Sequence, residues 1–358
     1  MPLVANTELP SFRRLRESGQ EVLTQERART QDIRELHLGL LNLMPDAALE
    51  ATERQFLRLV GSCNRIAQFY VHPFTVDGVP REGRAKTHVA QFYKTFAEIR
   101  DEGLDALIIT GANPVAADLT AEPFWQPMIE VMSWAHTAVC STLYSCLATH
   151  AALQQYHRIF REKLPHKRWG VYEHRVTGHA HPLLLNINTR FDGPHSHVYD
   201  MPRRGFEAAG TTVLVDSPTA GVYLAVSEDQ FRSVYFQGHP EYDTNSLFKE
   251  FKREVGRFAR GERDAYPRFP ENYFSTDAQA VLRAYEKRLH AALAAGEHPA
   301  ELPEAELEPL LDNTWTDTGK ALINNWLGLV YQLTHRDRRR PFMEHIDPED
   351  PLGLRKAR

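Results

Sequence analysis

Apolar residues recur along this chain in short, near-continuous runs that predict strands covered on both faces. The first such run spans 36–44 and is stopped by Pro45. Segments 66–71 and 105–112 have the same character, and segments with helical periodicity separate the runs. Runs of this kind suit the central strands of a parallel sheet. The alternation therefore predicts a three-layer α/β/α sandwich with a mostly parallel sheet.

The helix after Pro45 is predicted to be amphipathic, with Glu50, Glu53 and Arg54 facing solvent. A polar excursion through 86–88 is expected before a helix over 92–102. Near the N-terminus, the charged segment 11–34 predicts either a helix around 28–36 or an extended arm.

The end of the chain predicts a helical extension. Segment 278–311 is rich in Ala, Glu and Leu, and Gly296 and Pro299 predict a break between two surface helices. A last amphipathic helix is expected over 324–332. We therefore divide the chain into an N-terminal arm (1–34), a catalytic α/β domain (35–277) and a helical insertion with the C-terminal helix (278–358).

Composition and charge narrow the classes of function. The 358 residues are 42% hydrophobic and 25% charged, which is ordinary for a globular protein, and the net charge is −5. With this charge balance, the protein has no overall positive potential that would attract nucleic acid or an anionic membrane. The start of the chain lacks a signal-peptide pattern, and no segment approaches the roughly 20 apolar residues of a membrane span. We expect a soluble, cytoplasmic protein.

Three cysteines occur, and their irregular spacing predicts neither a disulfide framework nor a zinc site. No His, Cys or Asp cluster has ligand spacing, so no metal is expected. Cys146 stands out because an apolar strand turns at 145–146 into a helix of small residues. This is the pattern of a nucleophile elbow, where N–H groups of the following helix can hold an oxyanion. A buried cysteine acting only as a small apolar side chain is the rival interpretation.

A second stretch supplies a base for that thiol. Strand 233–236 runs into Gly238-His-Pro-Glu241, which holds an imidazole and a carboxylate two residues apart. A nucleophilic thiolate needs a base, and the base needs an orienting acid. His239 and Glu241 are the candidates, and both would lie with Cys146 beyond the carboxyl ends of the strands. His150, one turn after Cys146, is expected to be a packed or solvent-facing histidine.

The chain resembles the homoserine O-acyltransferase family of methionine biosynthesis, which is related in fold to class I glutamine amidotransferases. The resemblance covers nearly the whole chain in one order of motifs: Leu9-Pro10, Leu41-Asn-Leu-Met-Pro45, Gln55-Phe-Leu-Arg-Leu59, Ile109-Thr-Gly-Ala112, Ser141-Thr-Leu143, Cys146, Gly170-Val-Tyr-Glu-His-Arg-Val176, Pro194-His-Ser196, Gly238-His-Pro-Glu-Tyr-Asp243, Glu271-Asn-Tyr-Phe274 and Asn325-Trp-Leu327.

That resemblance implies an acyl-CoA-dependent O-acyltransferase with a ping-pong cycle. Cys146 would form an acyl-thioester and pass the acyl group to the hydroxyl of L-homoserine, with His239 as general base and Glu241 orienting it. The family's substrate-binding positions fall on three residues: Lys167, Ser196 and Arg253. We expect backbone N–H groups at Leu147 and Gly111 to bind the oxyanion. Acyl-CoA is a co-substrate, no cofactor is implied, and relatives are often homodimers.

Several departures from the family pattern leave the substrates open. Leu147-Ala-Thr-His150 replaces a Trp-Gly-Ala-Gln segment, and Asp46-Ala47-Ala48 with two extra residues replaces a lysine. Val115 aligns with a position that tends to be Glu in acetyl-transferring and Gly in succinyl-transferring members. Valine does not repel a distal carboxylate, so we favour succinyl-CoA. The segment 278–311, longer than in relatives, suggests a lid or a subunit contact.

Alternatives remain at two levels. Acetyl-CoA as the donor, or L-serine as the acceptor, preserves the chemistry. A glutamine amidotransferase-like hydrolase would use the same three side chains, but its Cys-x-Gly elbow is missing here. A non-enzymatic regulatory or binding protein would have no need of an intact Cys146, His239 and Glu241.

Overall fold

The computed structural model describes residues 3–63, 66–178 and 180–355, so the first two and last three positions of the predicted arm and extension lie outside it. Its strands are β1 Val4–Ala5, β2 Leu23–Thr24, β3 Glu35–Leu41, β4 Gln68–Phe74, β5 Ala106–Ile109, β6 Ser141–Ser145, β7 Glu162–Val176, β8 Arg190–Asp200, β9 Thr212–Ser217, β10 Gly221–Val226 and β11 Ser233–Phe236. The helices are α1 Pro10–Glu17, α2 Gln25–Arg29, α3 Asp46–Gly61, α4 Gly83–Phe92, α5 Phe96–Glu102, α6 Trp125–Ala138, α7 Leu147–His157, α8 Arg203–Ala208, α9 Ser246–Ala259, α10 Thr276–Ala295, α11 Glu304–Leu307 and α12 Thr316–Leu333.

One nine-stranded sheet organises the fold, in the order β4-β3-β5-β6-β11-β10-β9-β7-β8. Strands β4, β3, β5, β6 and β11 pair in parallel, whereas β11, β10, β9, β7 and β8 pair antiparallel. The expectation of a mostly parallel sheet is therefore wrong, and the sheet is mixed. Strands β9, β10 and β11 follow one another through short connections, which need no crossover helix, whereas the chain from β8 to β9 passes β7 and contains helix α8.

Alternate residues of the central strands enter two different cores. On β5, Ile108 packs into the core shared with α3 and α12, whereas Ile109 packs into the core shared with α6 and α7. Helices thus cover both faces of the sheet, and the predicted three-layer architecture is confirmed. A third core joins α9 to the helical extension, with Phe251 packing in the same cluster as Leu282 and Leu289 of α10.

Local predictions differ from the structure in four places. Helix α2 ends at Arg29, so the predicted helix over 28–36 is wrong, and β3 begins at Glu35. The polar excursion is helix α4, and the helix predicted over 92–102 is reduced to α5 because a break separates the two. Helix α10 ends at Ala295, with Gly296 at φ +71° as its left-handed cap, in agreement with the predicted break.

Glu53 is the fourth difference, because it is fully buried rather than solvent-facing. Its carboxylate lies 2.9 Å from His88 Nε2 and accepts a short hydrogen bond from Ser11 Oγ. A buried carboxylate needs such partners, and helical periodicity along α3 could not reveal them. Within the described ranges, no helix is long and apolar enough to cross a membrane.

Candidate active site

Cys146 occupies a sharp turn between the end of β6 and the start of α7. Its backbone has φ +51° and ψ −109°, a region that a non-glycine residue enters only at a cost of about 1–3 kcal/mol. The turn is held because the Cys146 N–H donates to Phe236 O at 2.7 Å. Thr149 Oγ1 donates to Tyr144 O and Phe236 O, each at 2.9 Å, and so ties the helix to the ends of β6 and β11. The predicted nucleophile elbow is therefore present.

Two backbone segments lie beside the thiol. The Leu147 N–H is in the first turn of α7, where no intrahelical acceptor exists for it. A Cβ added at Gly111 would lie 3.6 Å from Cys146 Cβ and 3.9 Å from Leu147 N, so the Gly111 backbone runs close to both. Leu147 and Gly111 thus come together at Cys146, and their oxyanion role stays a prediction.

His239 and Glu241 follow the end of β11, the parallel neighbour of β6. Their side chains are buried, and His239 Nδ1 lies 2.8 Å from Glu241 Oε1. Pro194 O accepts a hydrogen bond of 2.9 Å from the His239 N–H. The buried Nε2 has no hydrogen bond of ordinary geometry to another described group. This nitrogen is therefore available to the thiol of Cys146.

The charges around His239 shift the pKa of its imidazole strongly. Burial by itself lowers the pKa of His239, but the Glu241 carboxylate and the Cys146 thiol together outweigh burial and raise this pKa to about 10. His239 is therefore protonated at neutral pH. The site therefore places an imidazolium beside the sulfur of Cys146, and a nearby positive charge is the setting in which cysteines become nucleophilic.

Arg58 of α3 supports Glu241 from behind, and the sequence analysis missed it. Its Nη2 donates to Glu241 O at 3.0 Å, and its guanidinium also pairs with Asp243. The Gln55-Phe-Leu-Arg-Leu59 motif was the available signal, because it places Arg58 on a helix next to the catalytic strands.

A cavity of about 580 Å³ opens above Cys146 and His239. The candidate residues Gly111, Leu147, Lys167, Ser196 and Arg253 all line it. Glu241 lies behind His239 and does not line the cavity. The structure thus brings the predicted residues around one space, of the size of a small-molecule site.

Glu250 of α9 is the second residue that sequence reasoning missed. Its Oε2 lies 2.8 Å from Lys167 Nζ and accepts a hydrogen bond of 2.6 Å from Ser196 Oγ, and Tyr242 OH donates to Oε1 at 2.8 Å. Burial raises the pKa of Glu250, but Lys167 and these hydrogen bonds outweigh it, so the net shift is downward. The spacing of Glu250 and Arg253, three residues apart on one helix, was the signal for their shared face.

Three further residues need separate mention. The Arg253 side chain is about half exposed, and its nearest acid is Glu254 at 3.6 Å. Val115 is 98% exposed and does not line the cavity, whereas its neighbour Pro114 does. Its predicted role in donor choice is not supported by any contact and stays a prediction. His150 is buried, with Nε2 2.9 Å from Gln237 Oε1, in agreement with the packed interpretation.

Comparison with known proteins adds an independent line of observation. A family model described as homoserine O-succinyltransferase matches residues 2–336. The homoserine O-succinyltransferase of Methylococcus capsulatus is 58% identical over 99% of this chain and 100% of that protein. The protein of the same name from Allochromatium vinosum is 58% identical over 99% of each.

Among solved structures, a glutamine amidotransferase from Methylobacillus flagellatus is 14% identical, with a TM-score of 0.45 over 83% of this chain and 95% of that chain. The full-length relatives and the family model together settle the classification, which agrees with the resemblance found in the sequence motifs. The chain belongs to the homoserine O-succinyltransferase family.

Proposed function

We propose that this chain transfers a succinyl group from succinyl-CoA to the hydroxyl of L-homoserine through a thioester on Cys146. The observation that carries the proposal is the Cys146–His239–Glu241 arrangement at the floor of the cavity, in a chain whose full-length relatives are named homoserine O-succinyltransferases. Every step uses side chains and the acyl-CoA co-substrate, so the proposal includes no metal or prosthetic group.

In the first half-reaction, the Cys146 thiolate attacks the carbonyl carbon of succinyl-CoA. The oxyanion that forms is held by the N–H groups at Leu147 and Gly111. When the tetrahedral intermediate collapses, the C–S bond to CoA breaks, and the His239 imidazolium protonates the leaving CoA thiolate. Exchange of one thioester for another has a free-energy change near zero, so this half-reaction can run in both directions.

Acylation prepares the base for the second half-reaction. The negative charge of Cys146 is one of the groups that raise the pKa of His239. Thioester formation removes this charge, so the pKa falls and the neutral imidazole can take the proton of the homoserine hydroxyl. The alkoxide attacks the thioester, the Cys146–carbonyl bond breaks, and the thiolate returns. Glu241 keeps the imidazole oriented through both steps.

The amino acid is proposed to bind between Arg253 and the Glu250 cluster. Arg253 suits a carboxylate because guanidinium forms paired hydrogen bonds with it. Lys167 and Ser196 are already held at 2.8 and 2.6 Å from Glu250, so they are ordered before substrate arrives. Polar side chains that are already ordered lose less conformational entropy when a substrate binds. Acetyl-CoA as donor and L-serine as acceptor are the alternatives that keep this chemistry.

Intact-protein mass spectrometry after brief mixing with succinyl-CoA or acetyl-CoA, followed by a chase with L-homoserine or L-serine, tests the proposal. We expect a succinyl adduct on Cys146 that homoserine removes and serine does not. An acetyl adduct alone, or release by serine, would keep the mechanism and overturn the proposed substrates. Absence of any adduct would overturn the acyltransferase proposal and favour the hydrolase alternative, which glutamine hydrolysis would then test.

Two finer proposals follow from the family. We propose a homodimer, which sedimentation equilibrium would test by a mass of twice 41.0 kDa. We also propose a cytoplasmic location, which fractionation of the native cells would test.

A further inference from the structure

Arg161 lines the cavity and has no role in the reaction as proposed above. It lies between the end of α7 and the body of β7, with a half-buried side chain. Its Nη2 donates to Ala116 O at 3.3 Å and to Ala117 O at 3.2 Å. The guanidinium also stacks over the Tyr199 ring at 3.8 Å. These contacts fix the direction of the group without using all of its donors.

The donors of Arg161 are incompletely satisfied. Its Nε is buried and has no hydrogen-bond partner among the described groups. A buried polar atom without a partner costs about 1–3 kcal/mol, more for a charged group, so a partner is expected in the working state. Arg161 lines the cavity, so a bound molecule that reached the guanidinium would add hydrogen bonds to a group that is not fully satisfied.

Arg161 also differs from the other cations of the cavity in its charge balance. Lys167 pairs with Glu250 at 2.8 Å, and Arg253 has Glu254 at 3.6 Å. Within the described part of the chain, Arg161 forms no ion pair. The nearest acids are engaged elsewhere, since Glu122 accepts from the Ala116 N–H and Asp118 from Thr120. Glu122 and Asp118 therefore act on Arg161 only through their charges, and neither carboxylate forms a direct ion pair with it within the described residues.

The charge of Arg161 lies on the Cys146 side of the cavity. The two carbonyls that Arg161 holds lie two and three residues after Pro114, the last residue of the segment Gly111–Pro114 that lines the cavity beside the thiol. Burial lowers the pKa of Arg161, and the charges of Tyr199 and Cys146 oppose that shift. Cys146 is therefore within electrostatic range of the guanidinium. Lys249, the remaining cavity cation without an ion pair in the described ranges, is exposed on α9.

We propose that Arg161 binds the distal carboxylate of a dicarboxylic acyl group carried on Cys146 and thereby makes succinyl-CoA a better donor than acetyl-CoA. In a succinyl thioester, three C–C bonds of about 1.5 Å separate the two carbonyl carbons, so the carboxylate reaches only about 4 Å beyond the reacting carbon. Arginine suits a carboxylate at this position because its guanidinium stays charged and offers several donors in a fixed geometry. The inference rests on the proposed function and names the residue that sets its donor.

Single-turnover acylation measured by intact mass, with succinyl-CoA and acetyl-CoA in parallel, tests the inference in Arg161→Met. Loss of a charge-assisted hydrogen bond predicts a fall of about 30-fold or more in the succinyl-to-acetyl rate ratio. The rate with acetyl-CoA is expected to change less than about threefold. Arg161→Lys, which keeps the charge, is expected to retain a ratio well above that of Arg161→Met. Lys249→Met is the matched control and should leave the ratio within about twofold.

Other outcomes separate this inference from the function on which it rests. If Arg161→Met slows both donors equally, or raises only the KM for homoserine, Arg161 positions the loop or the acceptor and the inference is wrong. If the wild type forms no succinyl adduct at all, the proposed function fails and the inference falls with it. Thermal unfolding of each variant shows whether the loop that Arg161 holds is still folded.

Discussion

The two halves of the sheet contribute different parts of the site. In the parallel half, Cys146 comes directly after β6 and His239 comes shortly after β11, and the last residues of these strands, Ser145 and Phe236, are partners in register. In the antiparallel half, Lys167 and Ser196 project from within β7 and β8. The parallel half thus supplies the reacting groups at strand ends, and the antiparallel half supplies candidate substrate contacts from strand interiors.

This difference has a physical origin. Adjacent parallel strands end at the same edge, so residues that follow them meet without further help. Residues within antiparallel strands need a partner to fix their long side chains, and Glu250 provides it for Lys167 and Ser196. We therefore expect changes in the parallel half to impair both half-reactions. Changes in the antiparallel half and α9 should impair recognition of the acceptor.

Cys146→Ala gives the largest expected effect. Without the thiol no thioester can form, so kcat is expected to fall by about 10⁴-fold or more. CoA release and the mass adduct measure this loss. Cys140→Ala is the matched control, because Cys140 is fully buried just before β6, and this variant should keep most of its activity. A variant at Cys146 that retained full activity would show that the chemistry of the parallel half lies elsewhere.

Glu241→Gln should be next in size, with a fall in kcat approaching about 10⁴-fold, the loss seen when the orienting acid of a triad is replaced by its amide. Glu241 helps to raise the pKa of His239 to about 10, so its removal lowers that pKa. Acylation of Cys146 should also lower the pKa of His239, because it removes the charge of the thiol. Imidazole ¹⁵N NMR should therefore find His239 protonated up to about pH 10 in the free enzyme, but only to lower pH in the variant and in the succinyl-enzyme. An unchanged titration in both would contradict the proposed coupling.

Glu250→Gln tests the other half of the comparison. Losing the charge that holds Lys167 is expected to raise the KM for homoserine by about 10- to 30-fold. Acylation by succinyl-CoA should change less than about threefold, because Cys146 and His239 are untouched. Glu262→Gln, which alters an exposed pair with Arg260, is the control and should have no effect. Equal losses in both half-reactions would break the proposed division of labour.

Tyr242 joins the two regions and gives the smallest expected effects. Its ring stacks on His239 at 4.3 Å, and its hydroxyl donates to Glu250. Tyr242→Phe removes only the hydroxyl and is expected to raise the KM for homoserine by about three- to fivefold. Tyr242→Leu also removes the stacked ring, so its kcat should fall as well. Steady-state kinetics of the two variants would distinguish these contributions, and identical profiles would contradict them.

The positions of the proposed catalytic groups were predictable from the sequence because each lies in a contiguous motif. Cys146 ends an apolar strand before a small-residue helix, and His239 and Glu241 are two residues apart after another strand. The parallel strands could be found in the same way, since a strand covered on both faces reads as an apolar run. The direction of a strand leaves no such mark, and the antiparallel half was missed for this reason.

Residues with distant partners were the ones that escaped prediction. Glu250 lies 83 positions from Lys167 and 54 from Ser196, so nothing near it in the chain marks its role. Glu53 has the same difficulty, because His88, 35 positions away, compensates its burial. Val115 was assigned a role by alignment with relatives, and its side chain is 98% exposed, so the structure adds no contact in support and the role stays a prediction. Pairing across the fold is the information that a single sequence lacks.

The positive φ of Cys146 has an evolutionary consequence. Glycine enters that region of backbone geometry without the steric cost that any other residue meets there. In a gene copy released from selection for activity, glycine at position 146 would therefore relieve backbone strain at this turn. In the proposed mechanism the need for a thiol keeps cysteine at this turn, so natural variation at this single position should separate active members of the family from inactive ones.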